Sequence, residues 1–458
     1  MQYRHIYFVG AGGIGMANLV RYFLANDYSV AGYDRTATDL TRALIDEGAS
    51  IVYDDDEALI PEAFRDPSKT LVVYTPAIPD DNRILTYFRQ NNFEIIKRAA
   101  LLGKITLQSE GICIAGSHGK TTTSSMVAHL LHSSPIGCNA FLGGILRNYD
   151  SNLLLSETSP YSVIEADEYD RSFHHLSPPI AVVTSTDPDH LDIYGNEENY
   201  LESFAHFTSL IKPGGFLLMH TGLKLRPRVA EGVEIATYSS EGVGDYHATN
   251  IRHIDGHLYF DFVAPDCRIC DIELGVPIDI NIDNAVAAIA IAHRLGVDDR
   301  TIRNAMQSFL GAKRRFEIWL REEGPDGKVL IDDYAHSPNE VKASIASVKA
   351  LYPDRRLCVV FQPHLYTRTR DFAPGFAEAL STADDVILCE IYPARELPIE
   401  GVTSEIILND IKNASKTLCM RKDLLDLIKV RNFDILMTLG AADINVLLPD
   451  IKAILQQL

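Results

Sequence analysis

Short apolar runs bounded by glycine or polar clusters recur along this chain and alternate with longer amphipathic stretches. Near the N-terminus these runs are Ile6–Val9, Ser29–Tyr33 and Thr70–Tyr74. The middle holds Val163–Ile164, Ala181–Val183 and Phe216–Met219, and the last part holds Val329–Ile331, Leu357–Phe361, Val386–Leu388 and Ile435–Met437. Uninterrupted apolar strands separated by helical segments predict open parallel sheets covered on both faces. Between Ala248 and Leu274 the period switches to two. There Asp255-Gly256 separates Asn250-Ile251-Arg252 from Leu258-Tyr259-Phe260, which predicts a hairpin in a small antiparallel portion. Asn281–Arg294, rich in alanine and isoleucine, predicts a helix.

A chain of 458 residues is too long for one core. The pattern divides it into three α/β domains. Residues 1–104 form a Rossmann-like domain, 105–314 a central domain resembling the phosphate-loop ATPases, and 315–458 a second Rossmann-like domain. Hydrophobic content of 46% and charged content of 23% fit a globular chain. Acidic residues outnumber basic ones by 62 to 42, and a net charge of −20 repels polyanions, which argues against nucleic acid. No apolar run is long enough for a membrane span and the first residues lack the apolar core of a signal segment, so a cytoplasmic location is expected. Seven scattered cysteines do not make a disulfide framework. Cys267 and Cys270 form a lone C-x-x-C with no second cysteine pair, and read as unpaired thiols of a sheet.

Chemistry concentrates at strand ends. The run Gly111 to Ala115 passes into Gly116-Ser117-His118-Gly119-Lys120-Thr121-Thr122. Small residues let backbone N–H groups approach phosphate oxygens, Lys120 supplies a point charge, Thr121 can ligate Mg²⁺, and a helix N-terminus follows. Ile114 stands where the usual Walker pattern has its first glycine, so the turn is a shorter one. Two acidic clusters, Glu165 to Asp170 and Asp187 to Asp192, follow apolar strands. Carboxylates packed this way call for cations, and Glu165 with Thr121 offers the oxygen donors that Mg²⁺ prefers. Gly10-Ala11-Gly12-Gly13-Ile14-Gly15, with Asp34 at the end of the next strand, is a full G-x-G-x-x-G fingerprint. It reports a diphosphate on a helix N-terminus, which either a nicotinamide dinucleotide or a UDP-sugar would supply. In the last segment, Lys313-Arg314-Arg315 and the arginines after Gln362-Pro363-His364 offer guanidinium groups to phosphate or carboxylate.

Taken in order, Gly116 to Thr122, Glu165-Ala166-Asp167-Glu168, Asp189-His190-Leu191-Asp192, Asn281 to Ala285, Lys313 to Phe316, Asp333-Tyr334-Ala335-His336-Ser337-Pro338 and Phe361 to His364 resemble the motif series of the Mur ligases, over nearly the whole chain. The resemblance is greatest to their alanine-adding branch. It implies an ATP-dependent acid–amino acid ligase of peptidoglycan precursor synthesis. ATP would phosphorylate the lactyl carboxylate of UDP-N-acetylmuramate, and the amine of L-alanine would attack the acyl phosphate. It also implies roles by position. Lys120 would contact the β- and γ-phosphates, while Thr121, Glu165 and His190 surround Mg²⁺. Asn281 would read adenine and Arg315 reach the phosphates. His336, His364 and Arg368 would stand near the acyl phosphate and the amino acid, with Arg368 on its carboxylate. Asp333 and Tyr334 would belong to the same substrate site, and Gly12, Gly13, Ile14 and Gly15 would cradle the UDP diphosphate. A homodimer is compatible with the resemblance. Leu365 and Ala442 depart from the branch's common Arg and Gly. A branch of the family that attaches a recycled tripeptide shares the Glu-Ala-Asp-Glu-Tyr-Asp run, and an NAD-dependent oxidoreductase is the reading from another class.

Overall fold

The computed structural model describes residues 3–107, 109–254, 256–322, 324, 327–394, 396–412 and 415–457, without the side chains of residues 191 and 192. Asp255 of the expected hairpin turn and the side chain of Asp192 in the second acidic cluster therefore lie outside the described residues. Two compact units result: residues 1–249, 262–270 and 283–306, and residues 250–261, 271–282 and 307–458.

The first sheet contains β1 (His5–Val9), β2 (Ser29–Tyr33), β3 (Ser50–Val52), β4 (Thr70–Tyr74) and β5 (Glu94–Lys97), in the order β3-β2-β1-β4-β5. Its pairs are all parallel. Strand β1 is central, and Ile6, Tyr7, Phe8 and Val9 have no exposed surface because both faces are covered. That is why this run reads as continuously apolar instead of alternating. The second sheet contains β6 (Glu110–Ala115), β7 (Asn139–Leu146), β8 (Ser151–Leu154), β9 (Tyr161–Glu165), β10 (Ile180–Val183), β11 (Phe216–His220), β12 (Glu234–Ser239), β13 (Tyr246–Ile254), β14 (His257–Val263) and β15 (Arg268–Leu274). Their order is β15-β14-β13-β12-β11-β10-β6-β9-β7-β8. Strands β6, β9, β10 and β11 pair in parallel, while β7 and β8 make an antiparallel edge. The β7–β8 edge has no clear counterpart in the hydrophobic pattern, since Gly143 and Gly144 interrupt its alternation. The helix Arg98–Thr106 runs through the border expected at residue 104.

The third sheet contains β16 (Glu317–Arg321), β17 (Val329–Asp333), β18 (Leu357–Phe361), β19 (Asp385–Cys389), β20 (Ser415–Cys419) and β21 (Ile435–Leu439), ordered β16-β17-β21-β18-β19-β20. Only β16 is antiparallel to its neighbour. The helix Pro338–Leu351 starts at a capping box in which Ser337 and Glu340 satisfy each other's backbone N–H groups, with Pro338 pre-set for the first turn. This cap fixes the chain just after His336, at the carboxyl edge of the sheet.

Candidate active site

Strand β6 ends at Ala115, and the chain turns through Gly116 and Gly119 into the helix Lys120–His132. Both glycines have positive φ, +148° and +80°. A Cβ on Gly116 would lie 2.0 Å from Thr184 Oγ1, and one on Gly119 would lie 2.7 Å from Asn284 Oδ1. The turn is thus closed around by its neighbours. Ser185 Oγ accepts from the His118 amide at 2.7 Å, and the Ser185 carbonyl accepts from the Ser117 amide at 3.3 Å. Ser117 Oγ lies 2.8 Å from Tyr200 Oη. The His118 side chain itself is exposed, and Thr122 is half-buried at the start of the helix.

Lys120 folds back over this turn. Its Nζ donates to the Gly116 carbonyl and pairs with Glu168 Oε2 at 2.8 Å, where the Glu168 side chain is only 2% exposed. Burial pushes the Glu168 carboxyl above the ordinary range, and the adjacent Lys120 partly opposes this. Thr121 Oγ1 donates to Glu165 Oε1 at 3.0 Å, and the Gly143 amide donates to Glu165 Oε2 at 3.0 Å. Burial raises the Glu165 carboxyl too, against these hydrogen bonds. Hydroxyl and carboxylate oxygens thus meet beside the phosphate loop, a donor set that suits Mg²⁺. His190 stands at φ +51° after β10, with its ring edge-on to Tyr169 at 5.1 Å and its Nε2 3.7 Å from Asp189.

The glycine fingerprint follows β1, and Gly13 precedes the helix Ile14–Ala25. The Gly12 amide donates to Asp34 Oδ2 at 2.7 Å. Asp34 therefore turns toward the glycine loop, where a dinucleotide fold would aim it at a ribose. A cavity of about 270 Å³ opens beside this loop, lined by Gly13, Ile14 and Gly15 together with Arg98, Glu165 and Asp167. Arg98 Nη2 lies 3.4 Å from Asp167 Oδ2. The glycine turn and Glu165, the partner of Thr121, thus line one space. Arg98 and Asn284 carry no role in the sequence reading, and Asp167 and Glu168 figure there only as members of an acidic cluster. Asn284 Oδ1 accepts from Thr123 Oγ1 at 3.0 Å and so braces the loop helix. Only its place inside the Asn281-to-Ala285 motif could have pointed to it.

In the second unit, β17 delivers Asp332 and Asp333. Asp333 is buried and accepts from Ser344 Oγ of the helix Pro338–Leu351. Burial raises it. Asp332 is also buried; it accepts from Thr438 Oγ1 at 2.6 Å and lies 3.7 Å from Arg314 Nε, and burial pushes its carboxyl up to about 6. Arg314 and Arg315 stack over Tyr334 at 4.8 and 5.7 Å, and Arg315 is exposed. His336 Nδ1 lies 3.0 Å from the Tyr334 carbonyl. His364 stacks on Tyr392, with ring centroids 5.9 Å apart, and its Nδ1 is 3.4 Å from Arg368 Nη1. Leu365 occupies φ +72° and its amide donates to the Tyr392 carbonyl, so this departure from the common Arg sits at a tight corner. Asn281 is 4% exposed and donates to the Val276 carbonyl at 3.2 Å.

Residues 5–110 match the Mur ligase family catalytic domain, 114–292 the Mur ligase middle domain, and 314–442 the Mur ligase glutamate ligase domain. The chain is 56% identical over 450 residues to the UDP-N-acetylmuramate–L-alanine ligase of Parabacteroides distasonis, covering 98% of this chain and 97% of that one. It is 51% identical over 457 residues to the enzyme of the same name from Porphyromonas gingivalis, covering 99% and 100%. Among solved structures it resembles the UDP-N-acetylmuramate–alanine ligase of Thermotoga maritima, with a TM-score of 0.81, 26% identity and 99% of each chain covered. A murein peptide ligase from Psychrobacter arcticus shares the fold with a TM-score of 0.63 at 21% identity.

Proposed function

The chain belongs to the Mur ligase family, and from that premise we propose that it joins L-alanine to the lactyl carboxylate of UDP-N-acetylmuramate while ATP is converted to ADP and phosphate. It is an acid–amino acid ligase of peptidoglycan precursor synthesis, and the reaction belongs in the cytoplasm. The observation that carries the reading is the cavity lined both by Gly13 to Gly15 and by Glu165. In UDP-N-acetylmuramate the sugar ring separates the diphosphate from the lactyl acid, and this space offers a cradle for the first with Glu165 at the side that must serve the second.

A carboxylate is a poor electrophile because its charge is delocalised and its oxide leaving group is poor. Transfer of the γ-phosphoryl group supplies a leaving group, and such transfer depends on positioning and charge neutralisation. Lys120 leaves Glu168 for the β- and γ-phosphates, which lie at the N-terminus of the helix Lys120–His132. Thr121 and Glu165, with His190, are the residues that would hold Mg²⁺, which when bound would neutralise phosphate charge. Gly12 to Gly15 hold the UDP diphosphate, with Arg98 as a cation at the same cavity. On the second unit, Arg368 receives the carboxylate of alanine and His336 and His364 stand beside its amine. Arg315 offers an exposed guanidinium to phosphate, and Tyr334 packs beneath it. The amine attacks the acyl phosphate, the tetrahedral adduct expels phosphate, and an amide remains.

The test is phosphate release by the full chain with ATP and UDP-N-acetylmuramate, with L-alanine or the tripeptide as acceptor and the product identified by mass. Alanine-dependent release with a product heavier by one alanyl residue is expected. Release with tripeptide but not alanine would overturn the assignment.

A further inference from the structure

The spacing of the lone C-x-x-C does not by itself make a metal site, because no second cysteine pair accompanies it in the sequence. The fold supplies other partners. Cys267 closes the turn between β14 and β15, where the Ala264 amide donates to its carbonyl at 2.9 Å. His293 comes from the last turn of the helix Ile280–Arg294 and packs against Phe262. Cys267 Sγ lies 3.7 Å from His293 Nε2, and that nitrogen lies 3.0 and 3.2 Å from the two oxygens of Asp266. One donor atom from each residue falls within 4.8 Å of the others. All three belong to the first unit. Cys270, by contrast, is exposed and stands outside the group.

From these separations we infer that Asp266, Cys267 and His293 form a binding site for a thiophilic divalent cation of the zinc class, tying the β14–β15 turn to the end of that helix. A tetrahedral zinc ion bonded to sulfur at about 2.3 Å, nitrogen at about 2.05 Å and oxygen at about 2.1 Å separates sulfur from nitrogen by about 3.6 Å and nitrogen from oxygen by about 3.4 Å. The observed separations differ from these by a few tenths of an ångström, within the reach of small side-chain rotations. A thiolate and an imidazole select zinc or cobalt over magnesium, which takes hard oxygen donors, so this site would not compete for the Mg²⁺ of the reaction. The Asp266 side chain is 71% exposed, so the fourth position is open to water.

The test uses full-length, metal-stripped protein titrated with Co²⁺ in excess Mg²⁺, followed by the near-ultraviolet thiolate-to-cobalt band, and then Zn²⁺ in competition with a chromogenic chelator. One equivalent showing the band is expected. It should vanish in Cys267→Ser, persist in Cys270→Ser, and weaken roughly tenfold or more in His293→Ala. Zinc should raise the melting temperature of the parent and of Cys270→Ser but not of Cys267→Ser, while melting without metal checks that each variant is folded. Absence of the band in the parent, its survival in Cys267→Ser or its loss in a folded Cys270→Ser would overturn the assignment.

Discussion

Replacing Lys120 with methionine removes the cation from a pair in which Glu168 is 2% exposed and Lys120 14% exposed. Removing one partner of a buried pair strands the other charge and costs on the order of 3–5 kcal/mol if that charge stays. Glu168 can escape by taking a proton. From an ordinary carboxyl value of 4.5, protonation at pH 7 costs at most about 3.4 kcal/mol, at about 1.36 kcal/mol per pH unit, and at pH 5 at most about 0.7 kcal/mol. The sign follows from linkage. Burial raises Glu168 in the folded state, so the folded protein binds the extra proton; the loss is complete above the raised value and fades as pH falls toward the unfolded one. Urea unfolding of the parent, Lys120→Met and Lys120→Met/Glu168→Gln at pH 7 and pH 5 should show a deficit of about 3 kcal/mol at pH 7, most of it gone at pH 5. The double variant should regain most of it at pH 7. Turnover should fall about 10²–10³-fold in both variants, since neither can neutralise phosphate there. A deficit equal at both pH values, or not relieved by Glu168→Gln, would refute the reasoning.

Gly119→Ala must place a side chain at φ +80° and 2.7 Å from Asn284 Oδ1; a loss of about 1–3 kcal/mol in stability and weaker ATP binding by calorimetry are expected. Arg98→Ala should raise the KM for the UDP-substrate far more than that for alanine, and initial-rate kinetics read the split. Thr121→Val and Glu165→Gln should each shift the Mg²⁺ dependence of phosphate release to higher concentration, which a metal titration measures. Asp332, raised to about 6 in the folded state from an ordinary 3.8, takes up its proton on folding. It therefore adds stability as pH falls through about 6, and Asp332→Asn should lose that component in unfolding curves between pH 7 and pH 4.

Much of this protein was legible in the chain because parallel strands covered on both faces leave an unbroken apolar signature, as in Ile6–Val9 and Leu357–Phe361, with polar residues concentrated where such strands stop. The motif order from Gly116 to His364 pointed to the ligase family for the same reason: each motif sits at a strand end or helix start that local chemistry marks. The short turn at Ile114 and the glycine fingerprint could be read one residue at a time. What needed tertiary structure was every pairing between distant segments. Lys120 with Glu168, Thr123 with Asn284, Gly12 with Asp34, and Arg98 with Asp167 are set by sheet order, and sheet order depends on which strands bury each other. That Asn281 and Asp333 are buried, with the Val276 carbonyl and the Ser344 hydroxyl among their partners, is likewise set by the fold and not by their local sequence. Cys267 shows the converse: its neighbour in sequence, Cys270, stands apart, and the helix that covers the sheet brings it His293 instead.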